Sequence, residues 1–149
     1  LIDEELKKLG GISYTDEENL FAQELYKTLL NPDRAIGDQE TIQPLLLSQT
    51  KGSTDVGDVS WKVPTSGVRI ATWVPGTSSH SWQAVAAGGT SIGTKGSTLA
   101  AKALANSAVR LFEEPALIKL AWNEHKANIG DHDYQALLGD REPPLDYRK

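Results

Sequence analysis

Two carboxylates and an imidazole are the groups in this sequence best placed to do chemistry. Asp55 and Asp58 sit three apart in the run Gly52-Ser53-Thr54-Asp55-Val56-Gly57-Asp58-Val59-Ser60-Trp61. His80 follows in Gly76-Thr77-Ser78-Ser79-His80-Ser81-Trp82. Carboxylates and imidazoles on loops beside strands are how metal-dependent hydrolases present ligands. A ligating histidine needs a neutral ring nitrogen aimed into a pocket, with its other nitrogen held by a hydrogen bond. From residue type alone, His80 reads first as a surface or structural histidine and only second as a ligand. Asp55 reads as a turn cap, and Asp58 as the partner of a nearby base or amide. Ser53 and Thr54 can donate to a substrate, or satisfy a turn.

Other groups offer less. Gly88-Gly89-Thr90-Ser91-Ile92-Gly93-Thr94-Lys95-Gly96-Ser97 approaches a phosphate-binding loop, but its lysine comes one residue late for that pattern. A glycine-rich helix entry, or a helix terminus open to an anion, remain as readings. Glu124-His125 lacks a second histidine on the same helix face, and His132 stands among Asp131 and Asp133; both histidines read as solvated. No nucleophilic-serine motif is present.

The elements that position these groups read as follows. Ile2, Leu6 and Leu9 share a helical face that Gly10-Gly11 ends. Thr15 to Glu18 forms a capping box for a helix to about Leu30, stopped at Asn31-Pro32. Residues 33–50 read as a loop with a short helix or strand around Leu45-Leu46-Leu47. Alternation over Val56–Val63 and again over Val68–Val74 predicts two strands, with a short strand or turn over Ser81–Ala87. Ser91–Phe112 is the longest predicted helix, with a Leu104, Ala108, Leu111 stripe and alanines that let it lie close to a sheet. Pro115 opens a last helix to about Asn128. The fold expected is α/β: a few strands from residues 54–90, covered by helices at 15–30, 91–112 and 115–128.

Composition narrows the function classes. The 149 residues suit one domain, and 39% hydrophobic with 23% charged is ordinary for a globular protein. The net charge of −5 disfavours nucleic-acid binding. The absence of cysteine removes disulfides, thiolate metal sites and thiol nucleophiles. No apolar run reaches membrane-span length and no signal peptide is visible, which fits a cytoplasmic protein. The chain has no methionine, even at position 1, and the expectation is a piece of something larger.

The wording of the blocks carries a resemblance. The Gly52–Trp61 block, the Gly76–Trp82 block and Ser91-Ile92-Gly93-Thr94-Lys95-Gly96 occur in that order in the M20 family of metallopeptidases and amidohydrolases. The chain most resembles the family's aminobenzoyl-glutamate utilization branch, from roughly Thr15 to Gly130. The third block departs from the branch: its usual second histidine is Thr94 here. The resemblance implies the half of an M20 catalytic domain that follows an inserted lid. Residues 1–14 are then the exit from the lid, and residues 15–149 the carboxyl-terminal part of a catalytic domain with an incomplete sheet. It implies that His80 is a metal ligand, with Asp55, Asp58 and Thr54 orienting a ligand or binding substrate. The cofactor is then zinc or manganese, two ions in the complete enzyme. The reaction is hydrolysis of an amide between an acyl or aminobenzoyl group and an amino acid such as glutamate. No catalytic glutamate falls in this chain, so the chain alone is expected to be inactive. Expected partners are a small acyl-amino acid, the missing amino-terminal half and another copy; neither nucleic acid nor membrane is expected. Two alternatives stand beside this: a catalytically degenerate M20-like binding protein, and a phosphate-binding module built on Gly88–Ser97.

Overall fold

A computed structural model of the protein describes residues 1–45 and 54–146. Gly52, Ser53, Leu46 and Leu47 lie outside the described residues. The described residues form six α-helices and one 3-10 turn, with no strand among them. The α/β expectation is therefore corrected: the fold is helical. The helices are α1 (Ile2–Leu9), α2 (Asp16–Tyr26), α3 (Val56–Lys62), α4 (Trp82–Gly88), α5 (Ser91–Glu113) and α6 (Pro115–Ile129), with the 3-10 turn at Asp38–Glu40.

Each strand expectation fails for a physical reason. A strand leaves its backbone polar groups unpaired until a neighbour supplies partners, whereas a helix satisfies them within the segment. Val56–Lys62 takes the second course as α3, closing on the Asp55 carbonyl. The β-branched valines favour a strand only weakly, and local hydrogen bonding overrides them. Residues 81–87 form α4 because Ser81 caps it: its hydroxyl accepts from the Ala84 amide at 3.2 Å. Residues 68–74 have no regular secondary structure. They lie instead against α5, where a Cβ on Gly96 would press into the Ala71 carbonyl oxygen. Glycine at that position permits the crossing.

The chain divides into two units. Leu1–Ser48 with Ser66–Glu114 make the first, and Gln49–Thr65 with Pro115–Lys149 the second. The first holds a core of Ile12, Tyr14, Ala22, Leu25, Val74, Ala87 and Ile92, with Phe21, Ile70 and Trp73 packed against it. Ile92 is fully buried, worth about 2 kcal/mol on burial. The α2 capping box is complete: the Thr15 amide donates to Glu18 Oε2 at 2.7 Å, and the Glu18 amide to Thr15 Oγ1 at 3.2 Å. Helix α2 ends at Tyr26 rather than near Leu30. Along α5 the buried positions are Ile92, Gly93, Gly96, Ala103 and Ser107. Leu104 and Ala108 of the expected packing stripe are exposed instead. Arg110 joins α5 to α1, its Nη1 donating to Glu4 Oε2 at 2.6 Å and Glu5 Oε1 at 3.0 Å. In the second unit, Lys62 Nζ donates to the Tyr134 carbonyl at 3.1 Å, tying α3 to the segment after α6.

Candidate functional site

His80 stands in the first unit on the loop between Val74 and α4. The loop turns at Val74, where the Thr77 amide donates to the Val74 carbonyl at 3.1 Å. Gly76 adopts φ 82, with any Cβ 2.6 Å from that of Pro32, so the turn sits tightly on the Pro32 segment. Ser81 anchors the other end, its hydroxyl donating to the Ser78 carbonyl at 2.7 Å while capping α4. Between these anchors His80 takes φ 59, a left-handed conformation that histidine visits more readily than most residues. Its side chain is exposed, and neither ring nitrogen has a hydrogen-bond partner among the described residues. The imidazole is thus presented on a braced loop with both nitrogens available.

Thr54, Asp55 and Asp58 belong to the second unit, at the start of α3. All three are exposed. Thr54 Oγ1 accepts weakly from the Val56 amide at 3.4 Å. Asp55 occupies the N-cap of α3, but its side chain makes no capping bond. Its carboxylate is therefore uncommitted among the described residues. Asp58 accepts a hydrogen bond from the Tyr134 hydroxyl, and that bond holds the Tyr134 phenol above its ordinary range. Trp61 completes the cluster, stacked on Tyr134 at 6.2 Å and tilted against His132 at 4.5 Å. Asp58 thus supports local structure, the role that residue type alone allowed it. His132 is exposed, as its reading as a solvated residue has it, with its ring against the Trp61 indole. His125 is buried, edge-on to Trp122 at 5.4 Å, correcting its reading as a solvated residue.

The glycine-rich segment resolves into the end of α4 and the first turns of α5. Its lysine is already engaged. Lys95 Nζ pairs with Glu18 Oε2 at 2.5 Å and donates to the Ser13 carbonyl at 3.0 Å. Ser91 Oγ donates to Glu18 Oε1 at 2.6 Å. The Lys95 ammonium first, then Ser91 and the Thr15 amide, hold the Glu18 carboxyl down at about 2. The cation that a phosphate would need is spent on the α2 cap, so the phosphate-loop reading loses its charge. A shallow cleft of about 340 Å³ opens beside this pair, lined by Leu9, Ile12, Thr94, Thr98, Leu99 and Lys102. Thr94, where the resemblance leads to the expectation of a histidine, donates to the Thr90 carbonyl at 3.3 Å.

No group of three His, Asp or Glu among the described residues is arranged to hold a metal ion. No helix among them is long and apolar enough to cross a membrane. Sequence reading placed His80 on a loop after Pro75-Gly76 and found the α2 cap, but missed the partner of Glu18, because Lys95 lies 77 residues away. It also missed Tyr134 and Arg110, whose roles depend on distant acids.

Over 93% of its length the chain is 32% identical to one of the subunits of p-aminobenzoyl-glutamate hydrolase from Escherichia coli (strain K12). The chain spans 34% of the length of that relative. This likeness bears out the resemblance to the aminobenzoyl-glutamate utilization branch carried by the motif blocks. No family model matches the chain. No solved structure matches it either.

Proposed function

We propose that this chain forms part of a metal-dependent amidohydrolase, one that cleaves the amide between an aminobenzoyl or other acyl group and an amino acid such as glutamate. The observation that carries the reading is the 32% identity to a p-aminobenzoyl-glutamate hydrolase component along nearly the whole chain. His80 supports it locally: an exposed imidazole with no partner among the described residues, on a loop fixed at both ends.

The described residues do not fit a complete metal centre. A catalytic zinc needs three protein ligands and an open position, and these residues offer no such group. In this proposal His80 is one donor to a zinc or manganese site whose other ligands, with the general base, lie outside the chain. Asp55 is the carboxylate left to contact substrate or orient a ligand, together with Thr54. Asp58 contributes by holding the start of α3 through Tyr134. The chain alone is then inactive and binds metal weakly.

The test is a chimera. The matching third of the E. coli protein is replaced by this chain, and p-aminobenzoyl-glutamate hydrolysis is assayed with zinc or manganese supplied. The proposal expects activity, lost on His80→Asn. A folded chimera that is inactive on p-aminobenzoyl-glutamate and on a panel of acyl-amino acids would instead favour a degenerate binding protein.

A further inference from the structure

Helix α3 is 7 residues long, roughly half the length at which a helix begins to hold in water unaided. Its residues, Val-Gly-Asp-Val-Ser-Trp-Lys, are mostly weak helix formers, and its N-cap Asp55 makes no side-chain capping bond. Tertiary contacts must therefore fix its place. Those within the second unit fall on one face, at Asp58, Trp61 and Lys62, spaced i, i+3, i+4. They meet at Tyr134. Its hydroxyl donates to Asp58, and its ring stacks on Trp61 with centroids 6.2 Å and planes 9° apart. Lys62 Nζ lies 5.1 Å over the same ring and donates to the Tyr134 carbonyl at 3.1 Å. Trp61 also lies 4.5 Å from His132, two residues before Tyr134. Each contact is modest at an exposed position, but together they fix both the distance and the rotation of α3.

What Tyr134 grips is continuous with Thr54 and Asp55. Asp55 stands one turn before Asp58 on the same face. Its carbonyl accepts from the Asp58 amide at 3.1 Å and from the Val59 amide at 3.5 Å, and the Thr54 carbonyl accepts from the Gly57 amide at 3.3 Å. A rotation of α3 about its axis would therefore swing the Asp55 carboxylate. That carboxylate makes no capping bond, so the backbone that carries it sets its direction. A carboxylate can only accept, so its partner on an acyl-amino acid is an N–H donor.

We propose that Tyr134 is the positioning residue for Asp55 and Thr54, acting through Asp58 and the first turn of α3. This rests on the hydrolase reading given above and narrows it, taking Asp55 as a substrate contact.

Steady-state kinetics on the chimera with the E. coli protein, carrying Tyr134→Phe, Asp55→Asn or both, test it. Tyr134→Phe keeps the ring and the carbonyl and loses only the bond to Asp58. It should raise KM about fivefold, the weight of one ordinary hydrogen bond, with kcat and bound metal unchanged. Asp55→Asn should raise KM by at least as much. In the Asp55→Asn background, Tyr134→Phe should change KM by less than about twofold, because its effect passes through Asp55. Equal effects in both backgrounds would mean a general structural role and overturn the proposal. So would an unaltered KM on Tyr134→Phe alone. A chimera that is inactive with Tyr134 in place counts against the hydrolase reading instead. Nuclear magnetic resonance on the full chain then decides the positioning: Tyr134→Phe should shift the backbone resonances of residues 54–62, and unmoved Thr54 and Asp55 resonances would overturn it.

Discussion

Replacing Glu18 by Gln removes one charge from the centre of the first unit while keeping the shape of the side chain. In the wild type that carboxylate accepts from Lys95, Ser91 and the Thr15 amide, and its side chain is 8% exposed. Its partners lower it from 4.5 to about 2. A displacement of that size corresponds to about 3 kcal/mol in favour of the ionised folded form. Lys95 is 36% exposed, so water screens part of the attraction, and about 2 kcal/mol is the expected share. Because the folded value is depressed, this stability is present in full above 4.5 and drains away as pH falls through about 2. Urea denaturation of wild type and Glu18→Gln across this range is the assay. Near neutral pH the variant should be about 2 kcal/mol less stable, with a melting point lower by roughly 5–10 °C. The two should converge as pH falls from about 5 to about 2, since glutamine does not titrate. Stability curves that run parallel at every pH would refute the reasoning. So would a neutral-pH loss below about 0.5 kcal/mol, which is the size of an ordinary surface substitution.

Two further perturbations probe the same unit. Gly96→Ala should destabilise by about 2 kcal/mol in thermal melting, despite alanine's better helix propensity, because its Cβ would press into the Ala71 carbonyl; a stabilised variant would mean residues 68–74 do not cross α5 there. Tyr14→Phe should be neutral or stabilising by about 1 kcal/mol, since the buried hydroxyl has no partner among the described residues. The same variant should remove from the ultraviolet pH titration of the chain a phenol that burial pushes up to about 12.

What the sequence made legible follows from the range of each interaction. The α2 cap is written in four adjacent residues, and Pro115 opens α6 where the sequence places it. The strands were misread because alternation of valines records only side-chain pattern. Whether Val56–Val63 becomes strand or helix depends on whether a neighbour offers backbone partners, and none of the described residues does so. On α5 the sequence revealed amphipathicity but not which apolar stripe turns inward. Glycines at 93 and 96 decide that, by letting other backbone approach one side. His80 was legible as a loop histidine between small polar residues. Its left-handed backbone was not, and neither was the commitment of Lys95, 77 residues from its partner.

The central claim is that His80 supplies a ligand to a catalytic metal, and bound-metal stoichiometry measures it most directly. In the chimera with the E. coli protein, elemental analysis should find two zinc or manganese ions per chain, the number the family resemblance implies. His80→Asn should lose about one ion with the melting temperature nearly unchanged, because asparagine also tolerates the left-handed backbone. Full metal content in the folded His80→Asn chimera would contradict the assignment.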